Sequence, residues 1–137
     1  HLPLFRLDMM QGRLPAYESA AAFVSERART GDLVAVGELG VLSYNLANVR
    51  LLDLHGIISP EMLPLYKERG HLNNPQSLIV FPAKFAEAFK PQWICAYDIF
   101  LDKNMLNSET FRRDYDLVKF YPYSFYDSRG LFIYKRR

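Results

Sequence analysis

The chain has 137 residues, half of them apolar, with 17 basic and 15 acidic side chains and a formal charge of +2. That suffices for one domain with a single core and excludes disorder, and charges spread without long single-sign runs exclude a basic stripe for nucleic acid, so no nucleic-acid partner is expected. A lone cysteine, Cys95, excludes an intrachain disulfide, and no apolar run reaches the ~18 residues that a membrane-spanning helix needs.

Residues 1–14 read as an irregular lead-in, broken by Pro3 and Gly12. They carry neither an initiator Met nor a signal-peptide pattern, so the chain is expected to be a piece of a longer protein. A helix is predicted from Pro15 to Arg29, because Tyr17, Ala20, Ala21, Val24 and Ala28 recur at steps of three and four and Gly31 supplies a stop. Leu33 to Val36 and Val49 to Leu52 are short apolar runs of the kind covered on both faces of a sheet. Between them, Gly37 to Gly40 forms a turn and Val41 to Leu46 one or two helical turns. Ser59 and Pro60 open a helix ending near Gly70, with the Ser59 hydroxyl expected to cap its first turn.

A third strand is predicted at Ser77 to Phe81, after the turn at Asn73, Asn74 and Pro75. Pro82 opens a short helix carrying Phe85 and Phe89, which Pro91 ends. Trp93 to Leu101, apolar on both alternating faces except at Asp98, is the predicted central strand. A polar connection follows, with a helical turn around Ser108 to Arg113. The chain closes in Leu117 to Tyr123 and Leu131 to Lys135, an antiparallel pair joined through Asp127 to Gly130. The expected fold is therefore one α/β domain over residues 15–137, with three layers and a mixed, mostly parallel sheet. Helices cover both faces, and a C-terminal antiparallel hairpin closes it.

Glu38 and Asp53 each follow an apolar run, and in open α/β sheets ligands collect at the carboxyl ends of strands. A nucleotide turn at Gly37 to Gly40 lacks the third glycine of the dinucleotide pattern, and Glu38 would repel a phosphate there. A tight turn with an acidic first residue is the simpler account. Asp53 could orient His55 for base chemistry, but no nucleophile stands nearby. Glu38, Asp53, His55 and His71 are metal-ligand types without metal-ligand spacing, so neither a metal nor a cofactor is expected. Asp53 bonding to backbone amides of its own turn is the bland alternative. Among the aromatics of the tail, Tyr123, Phe125 and Tyr126 are the best candidates for exposure, as stacking faces for sugar rings or as lipid-interface anchors. Lys135, Arg136 and Arg137 make a short basic end that could sit against anionic lipid.

The order Val34-Ala35-Val36-Gly37-Glu38-Leu39-Gly40-Val41-Leu42-Ser43-Tyr44, followed by Val49-Arg50-Leu51-Leu52-Asp53-Leu54-His55-Gly56-Ile57-Ile58-Ser59-Pro60-Glu61, resembles the C-terminal soluble domain of polytopic bacterial glycosyltransferases. These membrane enzymes are related to dolichyl-phosphate-mannose-protein mannosyltransferases and use lipid-linked sugar donors. Ile57 stands where that family usually has Leu, and His55 fills its variable place. The resemblance implies a domain on the extracytoplasmic side of the cell membrane, with residues 1–14 leading in from a membrane segment. Its partners would be the membrane part of the same polypeptide and a lipid-linked sugar or glycan acceptor. Catalysis in that family belongs to acidic residues of the membrane part, so no catalytic residue carries over. Glu38, Tyr44, Asp53 and His55 are left as candidate ligand-binding residues. The alternative is a stand-alone nucleotide or sugar-nucleotide binding module, with Asp53 taking ribose hydroxyls. A small hydrolase built on Asp53 and His55 comes last.

Overall fold

A computed structural model describes residues 14–37, 46–55, 59–68, 80–125 and 128–137. Helix α1 (Leu14–Ser25) is followed by strands β1 (Leu33–Val36) and β2 (Arg50–Asp53), then by a 3-10 turn at Pro60–Met62 that runs into α2 (Leu63–Glu68). Next come α3 (Phe85–Phe89), β3 (Trp93–Tyr97), a 3-10 turn at Asp98–Phe100, α4 (Lys103–Asn107) and α5 (Glu109–Asp114). Two long strands, β4 (Tyr115–Phe125) and β5 (Ser128–Arg136), close the chain.

The five strands form one sheet in the order β2-β1-β3-β5-β4. β1 pairs in parallel with β2 and with β3, whereas β5 lies antiparallel between β3 and β4. The sheet is thus mixed, and its pairings divide evenly where the sequence predicts a parallel majority. The doubly apolar runs are strands for the reason their pattern gives, since alternate side chains go to opposite faces. Val34, Val36, Trp93, Cys95, Tyr97, Leu131 and Ile133 join Tyr17, Ala20, Ala21 and Val24 of α1 in one buried layer. Ala35, Leu52, Ile94 and Ala96 join Met62, Tyr66, Phe85, Met105 and Phe111 in the other. Helices on both faces of a sheet make three layers.

Several local expectations give way to longer-range bonds. The strand predicted at Ser77 to Phe81 falls mostly outside the described residues. Its described end, Val80 and Phe81, is not strand: the Phe81 amide donates to the Phe100 carbonyl at 2.8 Å and its ring is fully buried. β3 stops at Tyr97, four residues before its predicted end, because the chain turns where Asp98 is gripped by β5. α1 ends at Ser25, and the Asp32 carboxylate takes the Arg29 amide at 2.9 Å. α4 appears in what reads as a plain polar connection, capped by Asp102, whose side chain accepts from the amides of Asn104 and Met105. The closing pair is longer than predicted, with β5 beginning at Ser128 inside the expected connection.

β4 is an outer strand of the sheet, and an open edge invites pairing with other chains. A register shift between Leu117 and Lys119, together with Lys119 and Pro122, interrupts that edge. The Tyr121 hydroxyl ties the strand to α1, donating to the Ser19 carbonyl at 3.2 Å.

Candidate functional site

The parallel register sets Val36 beside Asp53, so β1 and β2 end at the same rim, and the Leu54 amide donates to the Val36 carbonyl at 3.0 Å. Glu38 and Tyr44, and the helical turns predicted at Val41 to Leu46 up to residue 45, lie outside the described residues. Asp53 and His55 are brought together here, in a specific way. Asp53 is 1% exposed, and its Oδ1 accepts the backbone amide of His55 at 3.0 Å, the Asx-type turn that is the bland alternative for this residue.

The Asp53 amide in turn donates to the hydroxyl of buried Ser59 at 2.8 Å. Ser59 therefore does not cap the following 3-10 turn, contrary to the sequence expectation. A buried strand-end amide without a partner is costlier than a helix-end amide that water can reach. Tyr66 adds a further tie, its hydroxyl donating to the Leu54 carbonyl at 2.6 Å. The His55 ring is half-buried, edge-on to Phe81 at 4.9 Å and to Phe100 at 6.1 Å. Gly37 has a packing reason to be glycine, since a Cβ there would come within 3.0 Å of the Phe81 ring.

Removing the Asp53 carboxylate should accordingly loosen this turn. Asp53→Ala is expected to lower the unfolding free energy by about 2 kcal/mol, and Asp53→Asn, which keeps an acceptor oxygen, by less than about 1. Urea denaturation of the two variants checks this; equal midpoints for wild type and Asp53→Ala would remove the structural role.

A second carboxylate stands at this rim, signalled in the sequence only as the one polar residue of an apolar run. Asp98 accepts from the Ser128 hydroxyl at 2.7 Å, the Arg129 amide at 3.1 Å and the Arg129 Nε at 3.2 Å. Burial pushes its pKa up, but the bonds from Ser128 and Arg129 outweigh this and hold it below the ordinary carboxylate value. A carboxylate depressed in the folded state stabilises fully above its unfolded value, near pH 4, and loses that contribution as pH falls through the folded value. Thermal melts from pH 5 down to about pH 2 should therefore show a shallower acid-side fall for Asp98→Asn than for wild type. Equal slopes would count against it.

Other chemistry-bearing groups lie away from this rim or are occupied. Cys95 is fully buried, which pushes its thiol up to about 12 and leaves it a small hydrophobe. His71 is outside the described residues. Among the described residues, no group of three or more His, Cys, Asp and Glu side chains could hold a metal ion. Nor, among them, is any helix long and apolar enough to cross a membrane. Of the three aromatics expected to be exposed, Tyr123 is half-buried against the α1 layer, and the side chains of Phe125 and Tyr126 are outside the described residues. Among the described residues of β4, the large apolar side chains of Leu117, Val118 and Phe120 are exposed.

A cleft of about 760 Å³ opens at the opposite rim, between α3, α4, α5 and the start of β4. Sequence reasoning gives no signal for it, because its walls come from residues 83 to 136 and converge only in the fold.

The architecture is that of a three-layer α/β domain with a mixed five-stranded sheet. Over residues 8–134 the chain matches the family described as Domain of unknown function (DUF8728), and it belongs to that family. No curated protein and no solved structure matches it.

Proposed function

We propose that this chain is a non-catalytic, extracytoplasmic accessory domain of a membrane glycosyltransferase with a lipid-linked sugar donor. There it covers the active site or positions the acceptor. The observation that carries this is the run from Val34 to Glu61, whose residue order resembles that family's soluble domain and whose two apolar segments lie side by side in parallel. The occupation of Asp53 in ordering its own turn adds support, since it gives the best-placed acid a structural task.

The coding sequence upstream of His1 provides the test. It is expected to encode roughly eight or more apolar segments of about twenty residues each. A short polar upstream sequence would overturn the proposal. A thermal-shift panel addresses the alternative binding module: nucleotide sugars and NAD are expected to leave the melting temperature unchanged. Stabilisation by either, lost in Asp53→Asn but retained in Asp98→Asn, would favour that module instead.

A further inference from the structure

The cleft at the far rim is lined by four cations, Lys84, Lys90, Arg113 and Arg136, and by two carboxylates, Glu87 and Asp114. Three of those cations gather around one acid. Arg113 holds Asp114 through two bonds, Nε to Oδ1 at 2.9 Å and Nη2 to Oδ2 at 3.2 Å, while Lys90 and Arg136 act on the same carboxylate through space. Among the described residues neither Lys90 nor Arg136 has a carboxylate within ion-pair distance.

Both are nonetheless held in place by backbone. Lys90 terminates α3 in a left-handed conformation, φ 46°, with its amide on the Ala86 carbonyl at 3.0 Å. Arg136 is fixed by its amide on the Gln92 carbonyl at 2.9 Å, and the next amide, of Arg137, reaches the Asp114 carbonyl at 2.8 Å. Behind the charges is an apolar wall. Phe111 and Tyr115 stack at 4.8 Å, with Met105 and Ala86 beside them in the lining. The Tyr115 hydroxyl donates to the Pro91 carbonyl at 2.7 Å, which turns its polar end away to the strand start.

We infer that this cleft binds a phosphate monoester with an apolar or ring-shaped body, its dianion set between Lys90, Arg113 and Arg136 and its body against Met105 and the Phe111–Tyr115 stack. Three cations around the single Asp114 carboxylate leave an excess that a doubly charged oxyanion matches. The Arg136 guanidinium presents a planar fork suited to phosphate oxygens, and Arg113 keeps its Nη1 donors beyond the two bonds to Asp114. The volume lies within the range of small-molecule sites. The inference is independent of the proposed function, since it concerns the opposite rim and uses none of Asp53, Ser59 or His55.

The test is binding of phenyl phosphate and of inorganic phosphate to the 137-residue chain, followed by titration calorimetry and by amide chemical shifts. Phenyl phosphate is expected to bind about tenfold more tightly than inorganic phosphate, because only it uses the apolar wall. Lys90→Gln/Arg136→Gln is expected to weaken it by about tenfold or more. Neither side chain closes an ion pair among the described residues, so the double variant should keep the wild-type melting temperature, which verifies its fold. Arg27→Gln, on the α1 side of the sheet, should bind as wild type does. No binding of phenyl phosphate, or equal weakening by Arg27→Gln, would overturn the site. Co-sedimentation with vesicles containing phosphatidic acid separates the two sources of such a group: capture lost in the double variant assigns a lipid headgroup, and absence of capture alongside phenyl phosphate binding assigns a soluble monoester. Capture retained in the double variant would again overturn it.

Discussion

Trp93→Ala is expected to lower the unfolding free energy by about 4 kcal/mol, the middle of the range for deleting a large buried aromatic. Trp93 is 1% exposed and begins the central strand, opposite Val34 of β1 and Lys135 of β5. It fills the layer between the sheet and α1, among Tyr17, Ala20 and Val24. The cavity left behind would have strand backbone, fixed by its ladder, on one side and on the other α1, which the Tyr121 bond to the Ser19 carbonyl holds to β4, so it closes only in part. The indole also closes a polar link: Nε1–H donates to Asp32 Oδ2 at 3.2 Å, the same oxygen that takes the Arg29 amide. For a domain of this size the loss corresponds to a fall of roughly 10–15 °C in melting temperature. Since Trp93 is the sequence's one tryptophan, circular dichroism must follow the melt in place of indole fluorescence. Trp93→Phe keeps most of the buried area and removes only the donor, so a loss of about 1 kcal/mol is expected for it. If Trp93→Ala cost less than about 1 kcal/mol, α1 would not be packed on the sheet as described.

Where side chains meet their neighbours by strand alternation, the sequence was sufficient. Val34 and Val36 face α1 while Ala35 faces the other layer, and the same holds for Cys95 against Ile94 and Ala96. Runs apolar on both faces have no stable place except a sheet covered twice, and that made β1, β2 and the core of β3 legible. Endings were less so. By pattern Asp98 is an interruption within a strand, yet it ends the strand, because its partners Ser128 and Arg129 arrive from about thirty residues away. Ser59 carried an adequate local signal for a cap, and a buried amide six residues upstream claimed its hydroxyl first. α4 buries only Met105 and is too short to show a period, although Asp102 was a readable cap.

The candidate site divides in the same way. The apolar run before Asp53 places it at a strand-end rim, and its Oδ1 makes the Asx-type turn that an aspartate two residues before a free amide favours. No local pattern connects Lys90, Arg113 and Arg136, which approach one another only because β5 returns along β3 to end beside α5. The two rims consequently differ in kind. At one, Asp53 and Asp98 spend their oxygens on turn and hairpin amides. At the other, cations outnumber carboxylates around a cleft.

Gly130→Ala should cost about 3 kcal/mol, more than a change of one methyl group ordinarily does. Gly130 lies in β5 opposite Pro122, with φ at +154°, a conformation that residues with a Cβ rarely take. Space is lacking as well. An added Cβ would collide with the Tyr121 carbonyl oxygen and come within 2.6 Å of Phe120 Cε2. Of these two obstacles the ring can swing aside, because Phe120 is partly exposed, whereas the carbonyl belongs to the β4 backbone. Relief therefore requires β4 and β5 to separate locally. That movement would reach the Ser128 and Arg129 bonds to Asp98, since both donors precede Gly130 in the same strand. The double variant Gly130→Ala/Phe120→Ala separates the two obstacles. It removes the ring clash but leaves the carbonyl and the φ strain, so it should recover no more than about 1 kcal/mol of the loss beyond what Phe120→Ala alone costs. A melting temperature for Gly130→Ala within about 2 °C of wild type would mean that the hairpin accommodates a side chain at this position and that its register differs from the one described.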